Sequence, residues 1–160
     1  MSAGGDGMRE LQERIEAIEQ QVETLRAEVE SLRVEQTEID EAIEAIGSID
    51  TGDTVQVPLG GGAYVRAEIE NAEEIIVGFG GGYAGERDSE GAVESLERKR
   101  DLLDDRIKEV QEDIEELREE STDLEQRAQQ LQQQQMQQLQ QQMGGPGGPG
   151  PSPGPGQGGN

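Results

Sequence analysis

Few residues in this chain could do chemistry, and their spacing argues against most of it. Gly80, Gly81, Gly82, Tyr83, Ala84 and Gly85 fit the spacing G-x-G-x-x-G, in which glycines bring a backbone turn close to a pyrophosphate. That site needs a parallel strand before the turn and a helix directly after it. Here the flanking residues read as a hairpin, and helical periodicity resumes only at Ser89. Carboxylates such as Glu115 and Glu119 could share a proton or bind a cation. They lie off the apolar seam of their helix, on a solvated face where no desolvation lifts a carboxyl into the catalytic range. Asp50, Thr51, Gly52, Asp53 lacks the alternating ligands and closing Glu of an EF-hand loop. No Gly-Lys-Ser or Gly-Lys-Thr offers a P-loop, and His and Cys are both absent. Nucleophile and base pairs, Cys-based zinc sites and disulfides therefore drop out. The chain reads as a non-enzyme, with no catalytic residue, cofactor or metal.

Apolar contact is the chemistry that remains. Met136, Leu139 and Met143 recur at three-four spacing in a field of Gln, and Met is a flexible, polarizable side chain suited to a promiscuous surface. The step from Leu131 to Met136 breaks the preceding heptad and rotates this stripe away from the seam. On sequence alone it reads equally as a frayed, low-complexity end and as a client-contact tip.

Two heptad-repeat segments must position these residues. In the first, Met8, Leu11, Ile15, Ile18, Val22, Leu25, Val29, Leu32, Ile39, Ile43 and Ile46 keep four-three spacing, with Gln36 the one polar member. The second runs through Val93, Leu96, Leu103, Ile107, Val110, Ile114, Leu117, Leu124 and Leu131, with Arg100, Ser121 and Ala128 as weaker positions. Such a series is a coiled-coil seam. The pattern predicts an α+β chain: a long antiparallel coiled-coil hairpin with two β-hairpins at the helix-connecting end. Residues 1–7 read as a flexible N-terminus and 8–47 as helix 1, capped by Asp6 and ended by Gly47. Residues 89–143 read as helix 2, capped by Ser89.

Between the helices, residues 54–87 change to a period of two. Thr54 to Leu59 and Ala63 to Ile69 flank Gly60, Gly61 and Gly62; Glu74 to Phe79 and Tyr83 to Gly85 flank Gly80, Gly81 and Gly82. Triple glycines between alternating segments signal tight hairpins. Short isolated hairpins are marginal in water and expose their edges, so these strands call for partner strands from other subunits. Residues 144–160, nearly all Gly and Pro, read as a disordered tail.

Pairing residues whose numbers sum to about 139 sets Ile46 opposite Val93 and Met8 opposite Leu131. Residues 132–143 would then project roughly 18 Å past the last pairing. In that register Arg33 meets Asp104, Glu19 meets Arg118 and Glu35 meets Arg106, whereas Asp40 faces Glu97 and Glu28 faces Asp113. Gln36 near Arg100 is the polar seam contact that would fix the register.

The formal charge of −23, from 36 acidic and 13 basic residues, repels a phosphate backbone or an anionic membrane, so no nucleic-acid or membrane partner is expected. No apolar run reaches the length of a membrane span or a signal peptide, and a cytoplasmic location follows. Molar salt shortens the Debye length to about 3 Å and screens such an acid excess, which suggests a halophile.

A coiled-coil arm, two small hairpins and a returning arm resemble the organisation of prefoldin subunits, and the two-hairpin form resembles the archaeal alpha subunit. Val55 to Val65 (VQVPLGGGAYV) resembles that family's first hairpin and Val77 to Ala84 (VGFGGGYA) its second. The likeness covers about residues 8 to 143. It implies an ATP-independent holding chaperone, a heterohexamer of two alpha and four beta subunits joined through β-barrels. Such an assembly binds unfolded client proteins, prevents their aggregation and passes them to a group II chaperonin. Client-binding candidates are then Leu131, Met136, Leu139, Met143, Met8 and Leu11. Subunit-assembly candidates are Val55, Val57, Leu59, Tyr64, Val65, Ile69, Ile75, Val77, Phe79 and Tyr83. The alternative is a coiled-coil scaffold without affinity for clients.

Overall fold

A computed structural model describes residues 3–143. The element order is α1 (Ala3–Ser48), β1 (Thr54–Gly60), β2 (Ala63–Glu68), β3 (Ile75–Gly80), β4 (Tyr83–Arg87) and α2 (Ser89–Met143). The fold is α+β, a coiled-coil hairpin carrying two antiparallel β-hairpins. Residues 144–160, expected to be a disordered tail, lie outside the described residues, as do the first two of the expected flexible N-terminus. No helix among the described residues is long and apolar enough to cross a membrane.

Two compact units make up the chain. One is Leu25–Asp113; the other joins the residues up to Thr24 with those from Ile114 onward. In the first unit Val29, Ile39, Ile107 and Val110 are buried, and in the second Ile18, Val22, Ile114 and Leu124. All eight are seam residues, so the heptad pattern accounts for each core. Val77 and Ala92 are the other two buried apolar residues among those described.

The register agrees with the seam. In the first unit Gln36 Nε2 donates to the Arg100 carbonyl oxygen and to Asp104 Oδ1, both at 3.3 Å. In the second, a Cβ built on Gly7 would lie 3.6 Å from Leu131 Cδ2. The flanking charges pair differently from expectation. Arg106 binds Glu28 at 2.7 Å instead of Glu35, which takes Lys99 at 3.4 Å, and Arg14 binds Glu120 at 2.7 Å. These are all g positions, and each g residue has two g residues within reach across the seam, one heptad apart. The observed choice sets opposite charges together in every ionised pair. The expected choice would have set Arg14 against Arg127 and Glu28 against Asp113. Asp40 turns from Glu97 to Arg100 at 2.6 Å. Arg33 pairs with Glu30 on its own helix at 3.5 Å rather than with Asp104. No ion pair joins Glu19 to Arg118 among the described residues.

Arg100 has a raised pKa, chiefly from its hydrogen bond to Asp40 and then from the field of that carboxylate. Arg106 is raised by hydrogen bonds to Glu28 and then Glu109. A base whose pKa rises on folding contributes its stability below the unfolded value and loses it only as pH climbs through the folded one. Both guanidiniums therefore stay charged and paired throughout the neutral range. Their exposure leaves the seam as the main source of cohesion.

The start of α1 and the caps of both helices differ from expectation, whereas α2 spans the expected 89–143. Helix α1 begins at Ala3 rather than Met8, which places Asp6 in the first turn, where its charge suits the helix dipole, instead of at the cap. Asp88, not Ser89, caps α2: its Oδ1 accepts from Gly91 N at 2.7 Å, the side-chain to N3 bond of an N-cap. Ser89 is occupied otherwise, its Oγ donating to the Glu73 carboxylate at 3.1 Å. Helix α1 runs to Ser48, one residue past Gly47.

Candidate functional site

Large apolar side chains face water in two places among the strands and the end of α2. The strands are the first. β1 pairs with β2 and β3 with β4, each pair a separate two-stranded sheet. The three glycines of each turn have positive φ, near 103°, 60° and 82° at Gly60, Gly61 and Gly62 and near 92°, 61° and 82° at Gly80, Gly81 and Gly82. L side chains rarely adopt that backbone, so glycine is required for the turn. The G-x-G-x-x-G spacing thus belongs to a hairpin turn, and no helix follows it until Ser89.

Pairing in the first hairpin sets Val55 across from Ala67 and Val57 across from Val65, which gives one aliphatic face. Val57, Leu59, Tyr64 and Val65 are exposed, and Val55 and Ile69 are half-buried. In the second hairpin Val77 lies across from Gly85 and is only 6% exposed. The Phe79 ring occupies the space over Gly85: a Cβ there would collide with Cε2 of the ring. Arg87 lies over that ring, its Cζ 5.3 Å from the centroid, in the range of a cation–π contact. Phe79 and Tyr83 remain exposed and Ile75 is half-buried.

Ile76, absent from the expected set, is 76% exposed. It pairs with Glu86 on the opposite face from Val77. The signal available was the pleat itself, since of three consecutive aliphatics, Ile75, Ile76 and Val77, the middle one must face away from its neighbours. Val34 and Leu102, also exposed, lie off the seam, and isolated apolar residues of that kind are common on surfaces.

The end of α2 is the second surface. Leu131 is half-buried, as are Met8 and Leu11 on α1, so these three candidates are largely engaged in helix packing. Met136, Leu139 and Met143 are 65%, 58% and 80% exposed. They line a shallow concavity with Gln132, Gln135 and Gln140. Because α1 starts five residues earlier than expected, the projecting part of α2 is shorter. Gln135 is still half-buried, and unbroken exposure begins at Met136. The free segment is thus residues 136–143, roughly 12 Å of helix, instead of 132–143.

Fold and surfaces together define a class of protein: a coiled-coil hairpin with exposed strand edges and an exposed apolar helix end. The family model described as Prefoldin subunit matches residues 18–142. Among curated relatives, a "Prefoldin subunit alpha" of Haloarcula marismortui is 59% identical over 106 residues, covering 66% of this chain and 69% of the relative. One of Halobacterium salinarum is 57% identical over 113 residues, covering 69% and 73%. One of Halorubrum lacusprofundi is 63% identical over 78 residues, about half of either chain, 49% and 51%. A cryo-EM structure of filamentous PFD from Methanocaldococcus jannaschii matches with a TM-score of 0.50 at 24% identity, covering 74% of this chain and 95% of that one. That likeness is one of fold. The chain belongs to the prefoldin family, a family of chaperone subunits, and its haloarchaeal relatives agree with the acid excess of the sequence.

Proposed function

We propose that this chain is a subunit of an ATP-independent holding chaperone that binds unfolded proteins, keeps them from aggregating and delivers them to a group II chaperonin in the cytoplasm. The supporting observation is the exposure of Met136, Leu139 and Met143 on one face of a helix end where, among the described residues, no second helix covers them. Exposed apolar area of this kind holds an unfolded chain through the hydrophobic effect, which needs no nucleotide. Each such contact is weak, and several subunits carrying one apiece gain by avidity. The hairpins serve assembly in this reading. Val57, Leu59, Tyr64, Val65, Phe79 and Tyr83 are the exposed candidates, Val55, Val77 and Ile75 support them from within their sheets, and Ile69 follows directly after β2. Every strand has one unpaired edge, which beta-type subunits would complete in a heterohexamer of two alpha and four beta.

The test is light scattering of a denatured model protein diluted into molar salt without ATP, with the full chain and its beta-type partner present. Suppressed scattering that is lost on replacing Met136, Leu139 and Met143 by Gln, with the mass of the assembly unchanged, supports the proposal. A stable assembly that leaves scattering untouched supports a scaffold instead.

A further inference from the structure

Resting on the client-contact reading of the helix end, we propose that Met136 and Met143 form a reversible oxidation site. Oxidation of their thioethers by a hydroperoxide turns the apolar tip polar and weakens its hold on unfolded chains, and a thiol reductant restores it. The chain has four methionines and neither cysteine nor tryptophan, so thioethers are its most readily oxidised groups. Met1 lies outside the described residues, and Met8 is half-buried in helix packing. Met136 and Met143, in contrast, are 65% and 80% exposed. Seven residues apart, they share one face of α2, and both line the concavity that also holds Leu139. The cores are made differently. Every buried residue of the described helices is Ile, Val, Leu or Ala, and none of these reacts with a peroxide. Oxidation therefore alters the tip and leaves the buried seam intact.

The forward step is balanced by the peroxide alone. A sulfur lone pair takes one oxygen of hydrogen peroxide, the O–O bond breaks, and the other oxygen leaves as water with both protons. Sulfur is oxidised to the sulfoxide as the peroxide is reduced. In the return step two thiols reduce the sulfoxide to the thioether, giving a disulfide and water. This chain has no cysteine, so those thiols belong to a separate reductant. The sulfoxide oxygen is a strong acceptor, and the amides of Gln132, Gln135 and Gln140 in the same concavity carry N–H donors. Of the three apolar side chains, only Leu139 then keeps its character. No charge is involved, so the change acts equally in molar salt, where charges are screened.

The experiment treats the full chain with hydrogen peroxide, removes the peroxide and assembles the chain with untreated partner subunits. Binding of a denatured, fluorescently labelled protein is read by anisotropy in molar salt, and mass spectrometry locates the sulfoxides. Sulfoxide should form at Met136 and Met143 ahead of Met8. Binding should then weaken roughly tenfold as two Met side chains lose their apolar contact, with helix content and assembly mass unchanged. Methionine sulfoxide reductases for both epimers should restore it. Met136→Leu with Met143→Leu, compared with itself before and after peroxide, should not change. An equal loss in that variant, earlier sulfoxide at Met8, or undiminished wild-type binding with both tip sulfurs oxidised overturns the inference. The untreated Met136, Leu139 and Met143→Gln variant separates the two levels. If it holds the probe as tightly as the wild type, the client-contact reading fails and the oxidation site with it. If it loses the probe while the oxidised wild type keeps it, only the oxidation inference fails.

Discussion

The two surfaces that leave large apolar side chains in water are built from different materials. On the hairpins the exposed large apolar residues, Leu59 excepted, are β-branched or aromatic, held on paired strands beside turns whose glycines admit one backbone path. Phe79 is further fixed between the space over Gly85 and the Arg87 guanidinium. At the end of α2 the exposed residues are two Met and a Leu, unbranched at Cβ, spaced along a single helix among Gln side chains. A stiff surface suits one partner of fixed shape, because little side-chain entropy is lost on docking. A flexible one can repack against many partners. The difference assigns assembly to the strands and client contact to the helix end within the proposed function.

Substitutions at the strands should therefore act through stability and assembly, and those at the helix end through binding alone. The largest effect is expected from Val77→Asp, which buries an unpaired carboxylate and should cost about 3 to 5 kcal/mol. Its checks are circular dichroism and the mass of the assembly, which should fall. Gly85→Val drives a side chain into the Phe79 ring and should cost about 1 to 3 kcal/mol, seen as a lowered Tm; Val65, its counterpart in the first hairpin, shows that the strand position itself tolerates valine. Arg87→Ala removes the guanidinium from the ring and should cost about 0.5 to 1 kcal/mol, a small shift in Tm with assembly retained. At the helix end, Met136, Leu139 and Met143→Gln should change stability by less than about 0.5 kcal/mol, since Gln matches Met in helix propensity and the site is exposed. A large loss of stability from that triple variant would erase the distinction between the two surfaces.

The seam was legible in large part, because eight of its residues are buried, Ala92 being the one other buried residue of the described helices, and a four-three apolar series has one natural partner. The hairpins were legible to within about two residues, since triple glycines fix the turns and the pairing follows from them. The ion pairs were not. A g residue reaches either of two neighbours, and only comparison of whole sets of charges separates them, as Arg106 shows. The first turn of α1 also escaped notice, because Ala3 to Gly7 carries no apolar period and three glycines oppose helix by propensity. That omission lengthened the expected projection of α2. Ile76 was hidden within an unbroken aliphatic run, where only strand pairing reveals which side chain faces out. Of the helix-end candidates, the spacing of Met136, Leu139 and Met143 picked out the exposed ones, while Met8, Leu11 and Leu131 follow the seam inward.

The most direct test is to dilute a denatured protein into molar salt without ATP, with the assembled wild type and with the Met136, Leu139 and Met143→Gln variant, following scattering and assembly mass together. The account predicts that the wild type suppresses scattering and that the variant does not, at equal mass. Suppression that survives the variant undiminished would contradict a client site at the end of α2.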